Sequence, residues 1–510
     1  MLSSRRPARA LALRAASTSA GFSSPLLVDN GSKTLVGGEW VGAAQKFDVL
    51  DPASGVVLAS VPDFTAADAD RAIAAAAAGF ETWRQAPAAK RAAALKKWHR
   101  AILANVDELG RIMTLECGKP LAEAKGEVLY AASFVEWYAE EAVRIQGSVN
   151  MGTGRDRQLL TLRSPVGVAA CITPWNFPAA MITRKIAPAL AAGCAVVIKP
   201  AEETPLTALA LAALAHDCFP PGVVNVVTAS RDHVAQVGDA LCASTTVRAL
   251  SFTGSTAVGK MLYSKCAQTV KKLGLELGGN APFIICADAD VGVAVDAVMA
   301  AKFRNAGQTC VCPDRFIVHD SKLDEFKSAL LERLALVQIG NGRDFGVTIG
   351  PLINAAAAQR IGNMVQAFEE TGKALLGGTA AATELQKRLG PAFYPPTVVE
   401  VTDAAAACWA GETFGPVVAL MRFNDLDDAV RLANEGTAGL AAYVMSADSM
   451  RAVKLAERLD YGMVTINTGA LGGVAAPFGG MKESGLGREG ARHGLDEYLE
   501  DKAIAIGGLA

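Results

Sequence analysis

Apolar and polar positions follow two different patterns along the chain. Beyond residue 165, uninterrupted apolar runs of strand length are each followed by a segment with helical spacing of its apolar residues. Continuous apolar strands with intervening helices are typical of parallel, doubly wound sheets. The pattern predicts strands at 166–173, 194–199, 222–228 and 249–253, with helices at 178–192 and 205–216. A second series begins near residue 281, with helices at 291–305 and 321–336 around a strand at 315–319.

The part of the chain before this sheet has a different pattern. Residues 34–62 alternate short apolar runs with turn residues, which indicates a small strand-rich opening. Residues 66–124 and 126–145 are rich in Ala, Leu, Lys and Glu and are predicted to be mostly helical. With 510 residues and no low-complexity linker, the chain is expected to form two closely joined α/β lobes.

The first 24 residues differ from everything that follows. They contain Arg5, Arg6, Arg9 and Arg14 and no acidic residue. Arginine, serine and alanine without acids are typical of an organellar transit peptide, so residues 1–24 are predicted to direct import into the mitochondrial matrix. A plastid is the alternative destination, and a disordered tail without a targeting role is the alternative interpretation.

Composition excludes several classes of function. The net charge of −2 gives no reason to expect nucleic-acid binding, and no apolar run is long enough to span a membrane. Ten cysteines and five histidines include no CxxC pair and no cluster with zinc spacing, so we predict no metal site and reduced thiols. Taken together, the composition, charge and cysteine spacing favour a soluble enzyme that acts on a small molecule.

Three separated segments carry candidate chemistry. Cys310 lies in AGQTCVC at 306–312, in a small polar turn where a thiolate could act as a nucleophile. Asn176 lies in PWNFP at 174–178, after a predicted strand, where its amide could stabilise an oxyanion or cap the next helix. Glu276 lies in LELGGN at 275–280. It is either a general base, whose apolar surroundings raise its pKa, or a solvent-facing side chain. Taken alone, each residue has an ordinary structural explanation.

Together, in this order, the three segments resemble those of the aldehyde dehydrogenase superfamily. The resemblance extends from residue 33 to the C-terminus. It implies that Cys310 is the nucleophile, Glu276 the general base and Asn176 an oxyanion donor. Because both Cys310 and Glu276 are present, a non-catalytic protein on the same scaffold is a weaker alternative. A thiol hydrolase or acyltransferase is disfavoured, because neither enzyme would need the dinucleotide site that the resemblance implies.

The same resemblance implies the cofactor residues and the domain plan. Lys199 and Glu202 are expected to hold the adenosine ribose, with Glu202 favouring NAD over NADP by repelling a 2′-phosphate. Other expected cofactor contacts are Trp175, Gly254, Ser255, Gly259, Glu412 and Phe414. The fold is expected to comprise a Rossmann-like NAD-binding domain at 25–146 and 163–285 and a catalytic α/β domain at 286–480. Residues 147–162 and 481–510 would form bridging segments and a small β oligomerisation arm of a homotetramer.

Within the superfamily, the chain most resembles the succinate-semialdehyde dehydrogenases. Arg184 in MITRK and Arg304 in KFRNAGQTC resemble two arginines that hold the distal carboxylate of the semialdehyde. An Arg fork suits a carboxylate, although a structural ion pair is the alternative for Arg304. Gly472 and Gly473 stand where the subfamily usually offers serine to that carboxylate, so glutarate semialdehyde is an alternative substrate.

A second cysteine lies two residues after the candidate nucleophile. Cys312 could simply pack in the core, or it could close a reversible disulfide with Cys310 under oxidation. The C-V-C spacing beside a reactive thiol motivates the second hypothesis.

Overall fold

The computed structural model describes residues 22–151, 157–401 and 411–508, so most of the predicted transit peptide lies outside the described residues. The chain opens with two hairpins and four helices. These are β1 (Thr34–Val36), β2 (Glu39–Val41), β3 (Lys46–Leu50), β4 (Val57–Pro62), α1 (Ala66–Trp83), α2 (Ala88–Leu103), α3 (Val106–Cys117) and α4 (Leu121–Glu141). Thr65 and Asp68 form a capping box that starts α1, and the left-handed Gly118 ends α3.

A six-stranded sheet follows and is covered by helices. Its elements are β7 (Val168–Ile172), α5 (Ala180–Ala192), β8 (Ala195–Lys199), α6 (Pro205–His216), β9 (Val224–Val226), α7 (Val234–Ala243), β10 (Val247–Thr253), α8 (Thr256–Cys266) and β11 (Lys272–Glu276). Every residue of β7 and β8 is buried, which confirms the apolar strands predicted from the sequence.

The order of strands in this sheet creates a crevice. Beginning at β7, the chain adds β8 and β9 on one side and then β10 and β11 on the other, and β19 (Gly485–Leu486) joins antiparallel beside β11. β7 and β10 are parallel neighbours with connections running in opposite directions. Ligands in open α/β sheets bind at such a switch point, outside the carboxyl ends of the strands.

The second lobe is built on a seven-stranded sheet in the order β14-β15-β16-β13-β12-β17-β18. Its strands and helices are β12 (Ala281–Ile285), α9 (Val291–Lys302), β13 (Pro313–His319), α10 (Asp320–Leu334), α11 (Ala355–Thr371), β14 (Gly372–Leu376), α12 (Gly378–Leu389), β15 (Thr397–Val401), β16 (Val417–Phe423), α13 (Leu426–Asn434), β17 (Ala441–Met445), α14 (Ser449–Glu457) and β18 (Met463–Ile466).

The predicted division after residue 285 is displaced in the structure. Strand β12 pairs in parallel with β13 and β17, and its Phe283, Ile284 and Ile285 belong to the core of the second lobe. The second lobe therefore begins before residue 286, because β12 is held by strands that come later in the chain.

The two predicted arm segments contribute to a three-stranded antiparallel sheet. It contains β5 (Ser148–Met151), β6 (Gln158–Pro165) and β20 (Leu499–Ile506), in the order β20-β6-β5. Strand β6 continues three residues past the predicted end at residue 162. Among the described residues, no helix has the length and apolar character required to cross a membrane.

Candidate active site

A cleft of about 310 Å³ opens at the switch point of the first sheet and faces the second lobe. The segment after β7 and the turn from β10 into α8 form one wall, and the turn that carries Cys310 contributes from the second lobe. Of the residues singled out from the sequence, seven line this cleft: Trp175, Asn176, Gly254, Ser255, Cys310, Glu412 and Phe414.

The backbone before Cys310 takes an unusual course. Helix α9 ends at Lys302 rather than continuing to residue 305, because Asn305, Ala306 and Gly307 all have positive φ angles, of 51°, 55° and 77°. A side chain at Gly307 would bring its Cβ within 2.2 Å of the Gly415 carbonyl. A Cβ at Gly279 would likewise lie 2.2 Å from the Cys310 carbonyl. The nucleophile candidate is thus fixed by close backbone packing between segments distant in sequence.

Cys310 is partly exposed to the cleft, yet its thiol is poorly solvated. Burial among protein atoms raises its pKa to about 12, although the Arg184 guanidinium acts in the opposite direction. At neutral pH the resting group is therefore the thiol, and nucleophilic attack requires a base.

Asn176 is buried beside this turn. Its amide Nδ2 donates to the Gln308 carbonyl at 3.0 Å, which uses one of its two hydrogens. An amide nitrogen carries a second hydrogen, which can be offered to an oxyanion in the cleft. Asn176 is not the N-cap of α5, since that position belongs to Ala179. The structure therefore excludes the helix-capping alternative for Asn176.

Glu276 ends β11 and is buried, with 2% of its surface exposed. Neither carboxyl oxygen has a hydrogen-bond partner within the described part of the chain. Burial raises the pKa of Glu276 well above its ordinary value, and the nearby Glu489 adds to the effect. Its burial excludes the solvent-facing alternative and agrees with the expectation of an apolar-sited carboxyl, while the role of Glu276 as general base stays a prediction. Glu276 itself does not line the cleft.

The first-lobe wall has the features of a dinucleotide-binding turn. Ser255 caps the start of α8, accepting a hydrogen bond from the Val258 amide at 3.4 Å. Gly259 lets α8 approach the first sheet, because a Cβ there would lie 2.3 Å from Leu277 Cδ2. The helix N-terminus, with Gly254 beside it, offers amide donors that suit a pyrophosphate, so the residues present fit such a cofactor.

The same cleft also contains groups that would suit the nicotinamide half of such a cofactor. The rings of Trp175 and Phe414 meet edge to face, with centroids 5.5 Å apart. Glu412 Oε1 accepts a hydrogen bond from the Gly279 amide at 3.2 Å. Burial, reinforced by Asp314, raises the pKa of Glu412 to about 8. An apolar wall with one carboxyl suits a flat aromatic ring attached to a ribose.

Lys199 and Glu202 lie at the carboxyl end of β8 and do not line the cleft containing Cys310. Their charged atoms are 3.7 Å apart, and the Lys199 side chain is 5% exposed. Burial lowers the pKa of Lys199, with Glu202 opposing the change. Their position, one strand away from the switch point, is compatible with the adenosine end of a dinucleotide.

The model of the aldehyde dehydrogenase family matches residues 40–504. The chain belongs to the aldehyde dehydrogenase family. It is 48% identical over 479 residues to an NADP-dependent succinate-semialdehyde dehydrogenase of Escherichia coli, covering 93% of this chain and 98% of the relative. It is 47% identical to the mitochondrial succinate-semialdehyde dehydrogenase of Arabidopsis thaliana, covering 93% and 89%. A glutarate-semialdehyde dehydrogenase of Pseudomonas aeruginosa is 46% identical, covering 94% and 98%.

A solved structure agrees with this assignment. The crystal structure of a succinate-semialdehyde dehydrogenase from Burkholderia pseudomallei superposes with a TM-score of 0.91 at 46% identity, covering 95% of this chain and 99% of that one. The fold class predicted from the sequence and the interpretation of the chain as an enzyme of this family are therefore confirmed.

The two arginines predicted to bind substrate lie apart from the cleft in this family member. Arg184 is 1% exposed and forms an ion pair with Glu489, while its guanidinium stacks over the Phe478 ring at 4.0 Å. Arg304 is exposed and stacks over Phe177 at 5.1 Å. Phe177 lines the cleft, so Arg304 lies behind one of its walls, next to a different cavity.

Cys312 and the glycine pair also lie outside the cleft. Cys312 is buried, its thiol donates to the Lys302 carbonyl at 3.5 Å, and burial raises its pKa to about 12. Gly472 and Gly473 line a separate cavity of about 200 Å³. Cys310 and Cys312 are both free thiols in this structure.

Sequence reasoning missed the residues that hold the Glu412–Phe414 segment. The buried Lys302 Nζ donates to Asp314 Oδ1 at 3.0 Å and to Thr413 Oγ1 at 3.1 Å. Arg360 lines the cleft and donates to the Thr413 carbonyl at 2.7 Å. The only sign of this buried contact in the sequence is a lysine on the apolar face of α9, because the partners of that lysine come from two later segments.

Proposed function

We propose that the chain oxidises succinate semialdehyde to succinate with NAD, through a covalent intermediate on Cys310. The observation that carries the proposal is the convergence of Cys310 and Asn176 with a dinucleotide-binding turn in one cleft. Glu276 is buried close enough to affect the ionisation of Cys310. Nucleophile, oxyanion donor, base and cofactor turn are the groups that this reaction requires.

The first half of the reaction uses the second-lobe turn. Cys310 Sγ releases its proton to solvent water at the cleft and adds to the aldehyde carbon, which forms a thiohemiacetal whose oxyanion accepts hydrogen bonds from Asn176 Nδ2 and the Cys310 amide. A bound nicotinamide would accept the hydride that leaves this carbon. The product on the protein is a thioester at Cys310. Asn176 contributes most where negative charge develops, because its amide is held in place by Gln308 before the reaction begins.

The second half of the reaction uses Glu276. A carboxyl with a raised pKa can take a proton from water at neutral to alkaline pH, and that water attacks the thioester carbon. The acid is released, and the sulfur of Cys310 is restored. The absence of hydrogen-bond partners on Glu276, within the described residues, leaves both oxygens available for this transfer.

The substrate's distal carboxylate is assigned to Arg304, which is exposed beside the cleft residue Phe177, with Arg184 contributing charge from its buried pair with Glu489. Arg184 lies close enough to Cys310 that its positive charge opposes the rise in the pKa of that thiol caused by burial. Gly472 and Gly473 supply no hydroxyl, which makes glutarate semialdehyde the second candidate. The Pseudomonas relative named for that substrate supports keeping it in the assay.

NAD is proposed as the cofactor because of the charges near Lys199. Glu202 and the adjacent Glu203 place two carboxyl groups beside this lysine, and they disfavour a 2′-phosphate. The E. coli relative is named for NADP, so the choice between the two cofactors requires a direct test. Glu202→Gln should then improve use of NADP relative to NAD.

The experiment is a spectrophotometric measurement of cofactor reduction. NAD and NADP are each combined with succinate semialdehyde, glutarate semialdehyde and acetaldehyde. We expect the highest kcat/KM with succinate semialdehyde and NAD. No reduction with any aldehyde would overturn the proposal, and equal rates with acetaldehyde would remove the role of the two arginines.

Assembly and location follow as lesser proposals. Exposed Val149, Leu159 and Leu162 on the three-stranded sheet support its role in a homotetramer, which sedimentation analysis would test. Residues 1–24 are proposed to direct the chain to the mitochondrial matrix, and fusing them to a fluorescent protein would test this.

A further inference from the structure

An ion pair buried behind the cleft contacts the backbone of the oxyanion residue. Lys119, in the connection between α3 and α4, and Glu127 on α4 are paired, with side chains 1% and 2% exposed. Lys119 Nζ donates to the Asn176 carbonyl at 2.7 Å. Two charges removed from water are costly unless each also has well-placed hydrogen bonds, so the contacts of this pair indicate its role.

Glu127 holds the other end of the same segment. Its Oε1 accepts hydrogen bonds from the Ala179 amide at 2.9 Å and the Ala180 amide at 3.3 Å. Ala179 is the N-cap of α5 and has no side chain that could cap the helix. Glu127 therefore supplies the missing cap. One ion pair thus fixes both the carbonyl of Asn176 and the first amides of the helix that follows it.

The ammonium is itself held rigidly. Lys119 lies over the Phe177 ring at 4.1 Å. Its backbone is packed against Gly342, where a Cβ would lie 2.5 Å from the Lys119 carbonyl. From the second lobe, Asn305 Nδ2 donates to the same Asn176 carbonyl at 2.9 Å. The Asn176 carbonyl is therefore held by donors from both lobes.

We propose that the Lys119–Glu127 pair is a positioning device for Asn176, which aligns its amide with the oxyanion that forms at Cys310. The inference rests on the proposed function, because it assigns Lys119 a role only through the oxyanion donor. A misplacement of the amide by about 1 Å can cost roughly a hundredfold in rate. A pair with only a structural role would change the stability of the protein but would not change the rate through the position of the Asn176 amide.

A double-mutant cycle between Lys119→Met and Asn176→Ala tests the proposal. The readout is the rate at which p-nitrophenyl acetate acylates Cys310, because this step forms an oxyanion but needs neither cofactor nor aldehyde. Asn176→Ala should slow acylation by about a hundredfold. Lys119→Met should slow it by about tenfold or more in the wild-type background but by less than twofold in the Asn176→Ala background.

Equal effects of Lys119→Met in both backgrounds would overturn the inference. Because Lys119→Met leaves Glu127 buried without its partner, the cycle is repeated with the neutral pair Lys119→Met/Glu127→Gln. Glu116→Gln is the matched control, since Glu116 is a buried carboxyl that caps α6 through the Leu206 and Thr207 amides at 2.7 Å. It should leave acylation within twofold of wild type.

Measuring acylation at Cys310 distinguishes a failure of the proposed function from a failure of the positioning role. Wild-type acylation at Cys310 without NAD-linked semialdehyde oxidation would contradict the proposed function while leaving the cycle measurable. Semialdehyde oxidation with an additive cycle would contradict the positioning role alone. Absence of acylation at Cys310 in a folded wild-type protein would contradict both.

Discussion

Gly279→Ala provides a sharp test of how Cys310 is held. A Cβ at this position would lie 2.2 Å from the Cys310 carbonyl oxygen, and a contact below 3.0 Å is not tolerated. The two backbones must therefore separate by at least 3.0 − 2.2 = 0.8 Å. A shift of this size at the nucleophile predicts a loss of roughly a hundredfold in kcat/KM. The cost in stability should be about 1–3 kcal/mol, as for other overpacked sites.

The assay pairs steady-state cofactor reduction with urea unfolding. Gly126→Ala is the matched control, because Gly126 lies on α4 and, apart from its neighbours in that helix, no atom lies within 4 Å of the position that an added methyl group would take. This control should retain full activity and gain about 0.5–1 kcal/mol of stability from its better helix propensity. Folded Gly279→Ala protein with kcat/KM within twofold of wild type would refute the reasoning.

The remaining predictions concern three titratable groups. Glu276→Gln should lower kcat by about 10²–10⁴-fold while the initial burst of reduced cofactor persists, and loss of the burst in rapid-mixing experiments would contradict its role in thioester hydrolysis. Burial, with repulsion from Glu489, raises the pKa of Glu497 from 4.5 to about 8, so its native state keeps a proton that the unfolded chain releases between these values. Stability should therefore fall as pH rises through that window, by about 5 kcal/mol at most, and Glu497→Gln should remove this loss in urea unfolding at pH 5.5 and 8.5. An unchanged pH dependence would contradict the assignment. Cys312→Ala should leave the Cys310 sulfenic acid open to further oxidation by excess peroxide to the sulfinic acid, so that dithiothreitol restores less activity than in wild type; full recovery equal to wild type would reject the disulfide.

Sequence reasoning succeeded where the physics is local. The apolar strands at 168–172 and 195–199 are buried throughout, and such runs need only their own composition to be recognised. The glycines after Glu276 also follow a local rule, because a missing side chain indicates close backbone approach. These features place Glu276 and the end of β7 correctly without knowledge of the rest of the chain.

The sequence could not reveal contacts between distant segments. Arg184 is paired with Glu489, more than 300 residues away, so its availability to a substrate depends on a partner that no local pattern indicates. The left-handed turn at Asn305 and Ala306 includes an alanine, a residue that rarely adopts positive φ, and the tightly packed backbone around Gly307 holds it. β12 likewise joins the second sheet through strands that follow it in sequence.

The central claim is that Cys310 carries the acyl group during turnover. Glu276→Gln protein is mixed with succinate semialdehyde and NAD, quenched in acid and digested, and its cysteine peptides are analysed by mass spectrometry. The account predicts a succinyl adduct on Cys310 that is absent without NAD and absent from Cys310→Ala. Reduced cofactor without an acyl adduct on Cys310, or with the adduct on another cysteine, would contradict it.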